Sequence, residues 1–155
     1  MNVRLNSDEM KMLKRVRELV KDNVDAESLV RSDTKTILHR LPTSDLFAPG
    51  EAFFSDGAEK LIVDTIRKDM KEGVKQVFID GHTDNVPLMF GGNFRDNWDL
   101  AAARASSVVQ ELEKAGNIST DRMKAVSFGE SKPIDTNETA AGREKNRRIE
   151  IEINF

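Results

Sequence analysis

Val74-Lys75-Gln76-Val77-Phe78-Ile79-Asp80, followed by Gly81-His82-Thr83-Asp84, reads as an apolar strand that runs into a glycine turn. Val77, Phe78 and Ile79 are too apolar in succession for a half-exposed edge, so the strand is expected near the centre of its sheet. Gly81 relieves backbone crowding at the turn, and the Thr83 hydroxyl is suited to bond the local main chain and fix where Asp84 points. His82 is expected to be structural, hydrogen-bonded beneath the loop.

Downstream, Asn85 to Asp96 carries Pro87, Gly91 and Gly92 and reads as a long loop, the kind of segment on which a rigid scaffold displays binding residues. Asn97-Trp98-Asp99-Leu100-Ala101-Ala102-Ala103-Arg104 then opens a helix whose apolar stripe is Ala101, Ala105, Val108 and Leu112. At 100° per residue Arg104 falls roughly 60° off that stripe, on the margin, free to reach a groove. Trp98, at the helix entry, is expected to pack into the core. An acid at a strand end and an arginine at a helix start can together grip an ammonium and a carboxylate of one ligand. Met123 to Phe128 predicts a strand, Gly129 to Pro133 a turn and Asp135 to Lys145 a polar connection. Ile149, Ile151, Ile153 and Phe155 alternate with Glu150, Glu152 and Asn154, which marks a strand with one wet face.

Upstream, Leu46 to Ala52 is a loop punctuated by Pro49 and Gly50. Asp56, with Glu59 three residues on, resembles a capping box at the start of a helix that buries Ala58, Leu61, Ile62, Thr65 and Ile66 and is closed by Gly73. Leu29 to Arg31 and Thr36 to Leu41 predict a short strand pair around Ser32 to Lys35. Ser7 or Asn6 can cap a first helix, on which Met12, Val16, Leu19 and Val20 form one apolar stripe on a charged rod. The stripe needs a partner: the domain itself, a second copy, or neither once the chain extends on activation. The order β-α-β-α-β-β predicts an α+β sandwich, with helices on one face of a mixed sheet. Residues 1–30 form a linker helix and residues 31–155 the domain.

The chain has 155 residues, 38% hydrophobic and 33% charged, enough for one domain with a real core. Its net charge of -3, with acids and bases interspersed, provides no basic field for nucleic acid and no polybasic tract for anionic lipid. With no Cys, disulfides, thiol catalysis and thiolate metal sites are excluded. His39 and His82 alone supply imidazole, so no metal-ligand set is apparent and no cofactor is expected. No apolar run approaches the roughly 18 to 20 residues that span a bilayer, and Met1 to Glu9 lacks the core of a signal peptide. Such a chain by itself is expected to remain in the cytoplasm.

Four motifs change that expectation: Gly81-His82-Thr83-Asp84, Asn97 to Ala105, Phe128-Gly129-Glu130-Ser131-Lys132-Pro133, and Asn146-Arg147-Arg148 before an alternating strand. In this order they resemble the OmpA-like peptidoglycan-binding domain, over residues 42 to 155. Asn85-Val86-Pro87, Asn97-Trp98 and the Leu46-Phe47 loop are similar to the periplasmic region of flagellar stator B subunits of the MotB/PomB type. Two positions depart from the usual pattern: Ala101 stands where a Ser is common, and Phe128 where a Gly or Tyr is common.

The resemblance implies that Asp84 and Arg104 grip the diaminopimelate side chain of the peptidoglycan stem peptide, Asp84 taking the ammonium and Arg104 the carboxylate. Asn97 and Arg148 are implied as flanking contributors, with Gly81, His82 and Thr83 as structural support. It also implies the periplasmic region of a single-pass inner-membrane protein with its transmembrane helix upstream. The implied partners are a stator A subunit, a second copy and periplasmic flagellar ring proteins. Anchoring a motor stator to the wall is the leading reading. A generic cell-wall tether of an outer-membrane or secretion complex is the alternative. A hydrolase using Asp84 with His82 ranks last, because no second catalytic acid or nucleophile converges there; the chain is read as a binding module and not as an enzyme.

Overall fold

The computed structural model describes residues 6–19, 35–70, 73–89, 92–116 and 118–155. They divide into two units, Met1–Lys35 and Thr36–Phe155. In the first unit, α1 (Ser7–Leu19) starts from a reciprocal cap. The Glu9 N–H donates to Asn6 Oδ1 at 2.8 Å, and the Asn6 N–H donates to Glu9 Oε2 at 2.7 Å. Each side chain thereby satisfies a backbone donor that the first turn leaves open. Met12 is exposed. The side chains of Val16 and Leu19, all of Val20, and the strand expected at Leu29 to Arg31 lie outside the described residues.

The second unit contains β1 (Thr36–Pro42), α2 (Ala58–Arg67), β2 (Gln76–His82), α3 (Asn97–Lys114), β3 (Met123–Gly129), α4 (Ala140–Asn146) and β4 (Arg148–Asn154). The sheet order is β1-β4-β2-β3. β4 runs antiparallel to both β1 and β2, whereas β2 and β3 are parallel. This is the expected α+β arrangement on a mixed sheet. β2 has a neighbour on each side, as its unbroken apolar run requires. Period-2 alternation sends Ile149, Ile151 and Ile153 of β4 inward, where they meet Val77 and Ile79 of β2, Ile62 and Ile66 of α2, and Ala105, Val108 and Leu112 of α3. Burial of these side chains is the main force holding the layers together.

Three local expectations are corrected. Gly57, not Asp56, is the N-cap of α2; it sits at φ 81°, a left-handed conformation that glycine adopts without penalty, and no side chain caps the helix. Leu61 is exposed, so the buried stripe of α2 is Ala58, Ile62 and Ile66. The segment read as a polar connection contains α4. Its N-cap Thr139 accepts the Gly142 N–H at 3.0 Å, and Gly142 packs so tightly on Thr136 that a Cβ there would lie 2.0 Å from the Thr136 carbonyl oxygen. Seven residues are too few to display helical periodicity.

Candidate functional site

The end of β2 is where the fold brings its polar groups together. A Cβ on Gly81 would lie 2.3 Å from the carbonyl oxygen of Ala101, so β2 and α3 approach at a distance only glycine permits. That contact sets the start of α3 beside the loop after β2. The Thr83 N–H donates to the Gly129 carbonyl at 2.8 Å and its hydroxyl donates to the Asp84 carbonyl at 2.8 Å, which fixes the backbone from which Asp84 projects. Asn97, buried at the start of α3, donates its amide to the carbonyls of Val86 at 3.0 Å and Asp84 at 3.3 Å. Its amide N–H groups therefore hold the loop that presents Asp84. Asp96 caps α3 by accepting the Asp99 N–H at 2.9 Å.

A cavity of about 750 Å³ opens at this point, lined by Asp84, Asn97, Arg104 and Arg147 together with Phe47, Leu88, Met89 and Phe94. Asp84 is buried; its Oδ1 accepts the Val86 N–H at 3.0 Å and its Oδ2 accepts Arg147 Nη1 at 2.7 Å. Arg104 is 5% exposed and does not stand free at a helix margin as its spacing implies. The 48–51 loop folds over it, so that Nε donates to the Glu51 carbonyl at 2.8 Å and one Nη to the Ala48 carbonyl at 3.2 Å, with the guanidinium 5.1 Å from the centre of the Phe47 ring. Burial, then the nearby Arg147 charge, lower its pKa to about 10, against Asp84 and Glu51; it stays a cation at neutral pH.

The two arginines of Asn146-Arg147-Arg148 part company. Arg148 is buried and structural: Nε donates to Glu150 at 2.7 Å, and its Nη groups donate to the carbonyls of Asn146 at 3.1 Å and Lys132 at 3.0 Å. The ligand contact expected of Arg148 is therefore not available, and Arg147 is the member that enters the cavity. Strand parity could have separated them, since Arg148 shares the outer sheet face with Glu150 while the isoleucines between face inward. Asn146 is fully buried and latches the preceding loop, accepting from the N–H groups of Ile134 and Asp135 and donating to Asp135 and Asn137.

His82 is also corrected. Its ring stacks on Phe128, with centroids 5.0 Å apart, and both ring nitrogens are buried without a hydrogen-bond partner, the nearest carboxylate, Glu150, standing 3.9 Å away. Burial, reinforced by Arg148, lowers its pKa to about 4, which leaves it neutral. It faces the outer side of the sheet with Asp80, away from Arg104. Trp98 is 47% exposed, and its ring lies over Gly129 instead of entering the core. Among the described residues no group of three His, Asp or Glu side chains is placed to hold a metal, and no helix is long and apolar enough to cross a membrane.

The chain is similar in sequence and in fold to several bacterial proteins. The chain is 32% identical over 149 residues to the uncharacterized protein YtxE of Bacillus subtilis, covering 92% of this chain and 58% of YtxE. It is 38% identical over 79 residues to Motility protein B of the same organism, covering 51% of this chain and 30% of that protein. It thus spans less than two thirds of either relative. A MotB-like protein from Desulfovibrio vulgaris superposes with a TM-score of 0.71 at 27% identity, covering 94% of this chain and 86% of the other. The cell wall anchor of the T6SS from Pseudomonas aeruginosa superposes at 0.61 with 28% identity, covering 83% and 92%. The OmpA family matches residues 46–147, a span that includes Asp84, Arg104 and Arg147. A match over residues 46–147, more than half of its length, makes this chain a member of the OmpA family.

Proposed function

We propose that the chain binds the stem peptide of peptidoglycan through its diaminopimelate side chain and so anchors a flagellar motor stator to the cell wall. The observation that carries this reading is the convergence of Asp84 and Arg104 in one cavity of about 750 Å³. A carboxylate and a guanidinium held there suit a ligand that bears an ammonium and a carboxylate on the same carbon. Asp84 takes the ammonium, and Arg104 takes the carboxylate through charge-assisted hydrogen bonds stronger than neutral ones. The Asn97 amide nitrogen keeps the Asp84 loop in place while the residue lines the cavity. The likeness to Motility protein B supports the stator role, with the chain acting as the periplasmic part of a single-pass inner-membrane parent that pairs with an A subunit and with a second copy.

A second reading, a wall tether for another envelope complex, is favoured by the likeness to the T6SS anchor. A parent with one N-terminal transmembrane helix bearing an embedded Asp separates the stator from that tether. Co-sedimentation with purified diaminopimelate-type peptidoglycan tests the binding itself. The parent should pellet with the wall, whereas Asp84→Asn and Arg104→Lys, at equal folded content, should stay in the supernatant. A folded parent left in the supernatant would set the reading aside, and release of soluble wall fragments would replace binding with hydrolysis.

A further inference from the structure

The cavity holds a second guanidinium, that of Arg147, beyond the one that the pairing of Asp84 with Arg104 needs. Arg147 comes from the junction of α4 and β4, 63 residues from Asp84, and its backbone is fixed on both sides. Its carbonyl accepts from the Thr43 N–H at 3.0 Å and the Thr43 hydroxyl at 3.2 Å, and its N–H donates to Arg143 at 3.1 Å. Its neighbours Asn146 and Arg148 are both buried. The fold thus clamps the main chain of Arg147 while leaving its side chain 39% exposed, with one Nη on Asp84.

Donors remain unspent. Among the described residues, protein acceptors are present for Nε and one Nη of Arg104 and for one Nη of Arg147, which leaves the other Nη of Arg104 and both Nε and Nη2 of Arg147 to meet something else. Glu51 and Asp84 both line the cavity, yet among the described residues Arg104 meets Glu51 only through its backbone carbonyl, and the one carboxylate that bonds a guanidinium there is Asp84, on Arg147. Two guanidiniums crowded into one cavity are best satisfied by an added anion with two acceptor oxygens.

We infer that Arg147 is a specificity residue of this cavity: with Arg104 it holds an ionised ligand carboxylate, so the site accepts stem peptides whose diaminopimelate side-chain carboxyl is free and turns away those in which it is amidated. The inference rests on the peptidoglycan reading above and deepens it. A carboxylate presents only acceptors to the two guanidiniums. An amide replaces one acceptor oxygen with an NH2 that has only donors to offer other donors, and it cancels the charge. Asp84 does not have to release Arg147 for the ligand ammonium to bind, because a carboxylate has about four lone-pair sites and two are used.

Two synthetic stem peptides that differ only in that group, free acid and amide, test the inference by calorimetric titration of the parent, Arg147→Gln and Arg147→Lys. The parent should favour the free acid at least about tenfold, the scale of a lost charge-assisted bond. Arg147→Gln should bring the ratio within about threefold of unity, and Arg147→Lys should keep most of it. The readout is a ratio within one protein, so a reduced folded fraction cancels. Equal binding of both peptides by the parent, or an unchanged ratio in Arg147→Gln, would overturn the role of Arg147 alone. Binding of neither peptide by folded parent would overturn it together with the peptidoglycan reading.

Discussion

Replacing Asp80 by Asn should stabilise this domain at neutral pH, although Asp80 is buried and charged. Asp80 lies on the outer face of β2, directly across from Glu150 of β4 and near Glu152. Burial, then Glu152 and Glu150, raise its pKa from 3.8 to about 6, against the smaller opposing influence of Lys132 and Arg148. The folded state therefore binds this proton more tightly than the unfolded chain. The stability that neutral Asp80 contributes is complete below about pH 4 and is lost as pH rises through about 6. A shift of that size corresponds to about 3 kcal/mol. Glu150 and Glu152 are only half-buried, and screening by solvent brings the figure to ~1.5 kcal/mol. His82 runs the other way: with its pKa lowered to about 4, its contribution is complete above pH 6.5 and is lost as pH falls through about 4. The two effects offset each other across the same window, so parent stability should change little there. Urea denaturation at pH 7 and pH 4 measures this. Asp80→Asn should be more stable than the parent at pH 7 by ~1.5 kcal/mol, and should lose stability more steeply on acidification because His82 is no longer offset. A variant less stable at pH 7, or a difference independent of pH, would refute the reasoning.

Gly81→Ala should cost at least about 2 kcal/mol by urea denaturation, since its Cβ would drive into the Ala101 backbone, which cannot rotate away. Arg148→Ala should lower stability by about 3 kcal/mol, because Glu150 is left without its main partner; the protein that remains folded should bind peptidoglycan like the parent, and a selective loss of binding would return Arg148 to the site.

The sheet was legible because its signals are local. Alternation in Ile149 to Phe155 announces β4, and the run Val77 to Ile79 announces a strand with neighbours on both sides. The errors lie where distant segments decide. Spacing along α3 cannot show that residues 48–51 cover the turn bearing Arg104, so the buried arc is wider than the helix's own apolar stripe. Nor can it show that Trp98 lies over Gly129, a residue of another element. Arg147 and Arg148 differ for a reason that was legible: parity along β4 assigns Arg148 to the outer face with Glu150 and frees Arg147 to turn toward Asp84. His82 obeys the same parity, sharing a face with Asp80, and Phe128 stacks on its ring where a hydrogen-bond partner was expected.

The central claim is that Asp84 and Arg104 bind the two charges of a single diaminopimelate end. Calorimetric titration with two stem peptides, one bearing diaminopimelate and the other lysine, which keeps an ammonium but lacks the carboxylate, tests it most directly. The diaminopimelate peptide should bind the parent at least about tenfold more tightly, with Asp84→Asn weakening both peptides and Arg104→Ala sharply reducing the preference. Equal affinity of the folded parent for both peptides, or a preference undiminished in Arg104→Ala, would contradict the account.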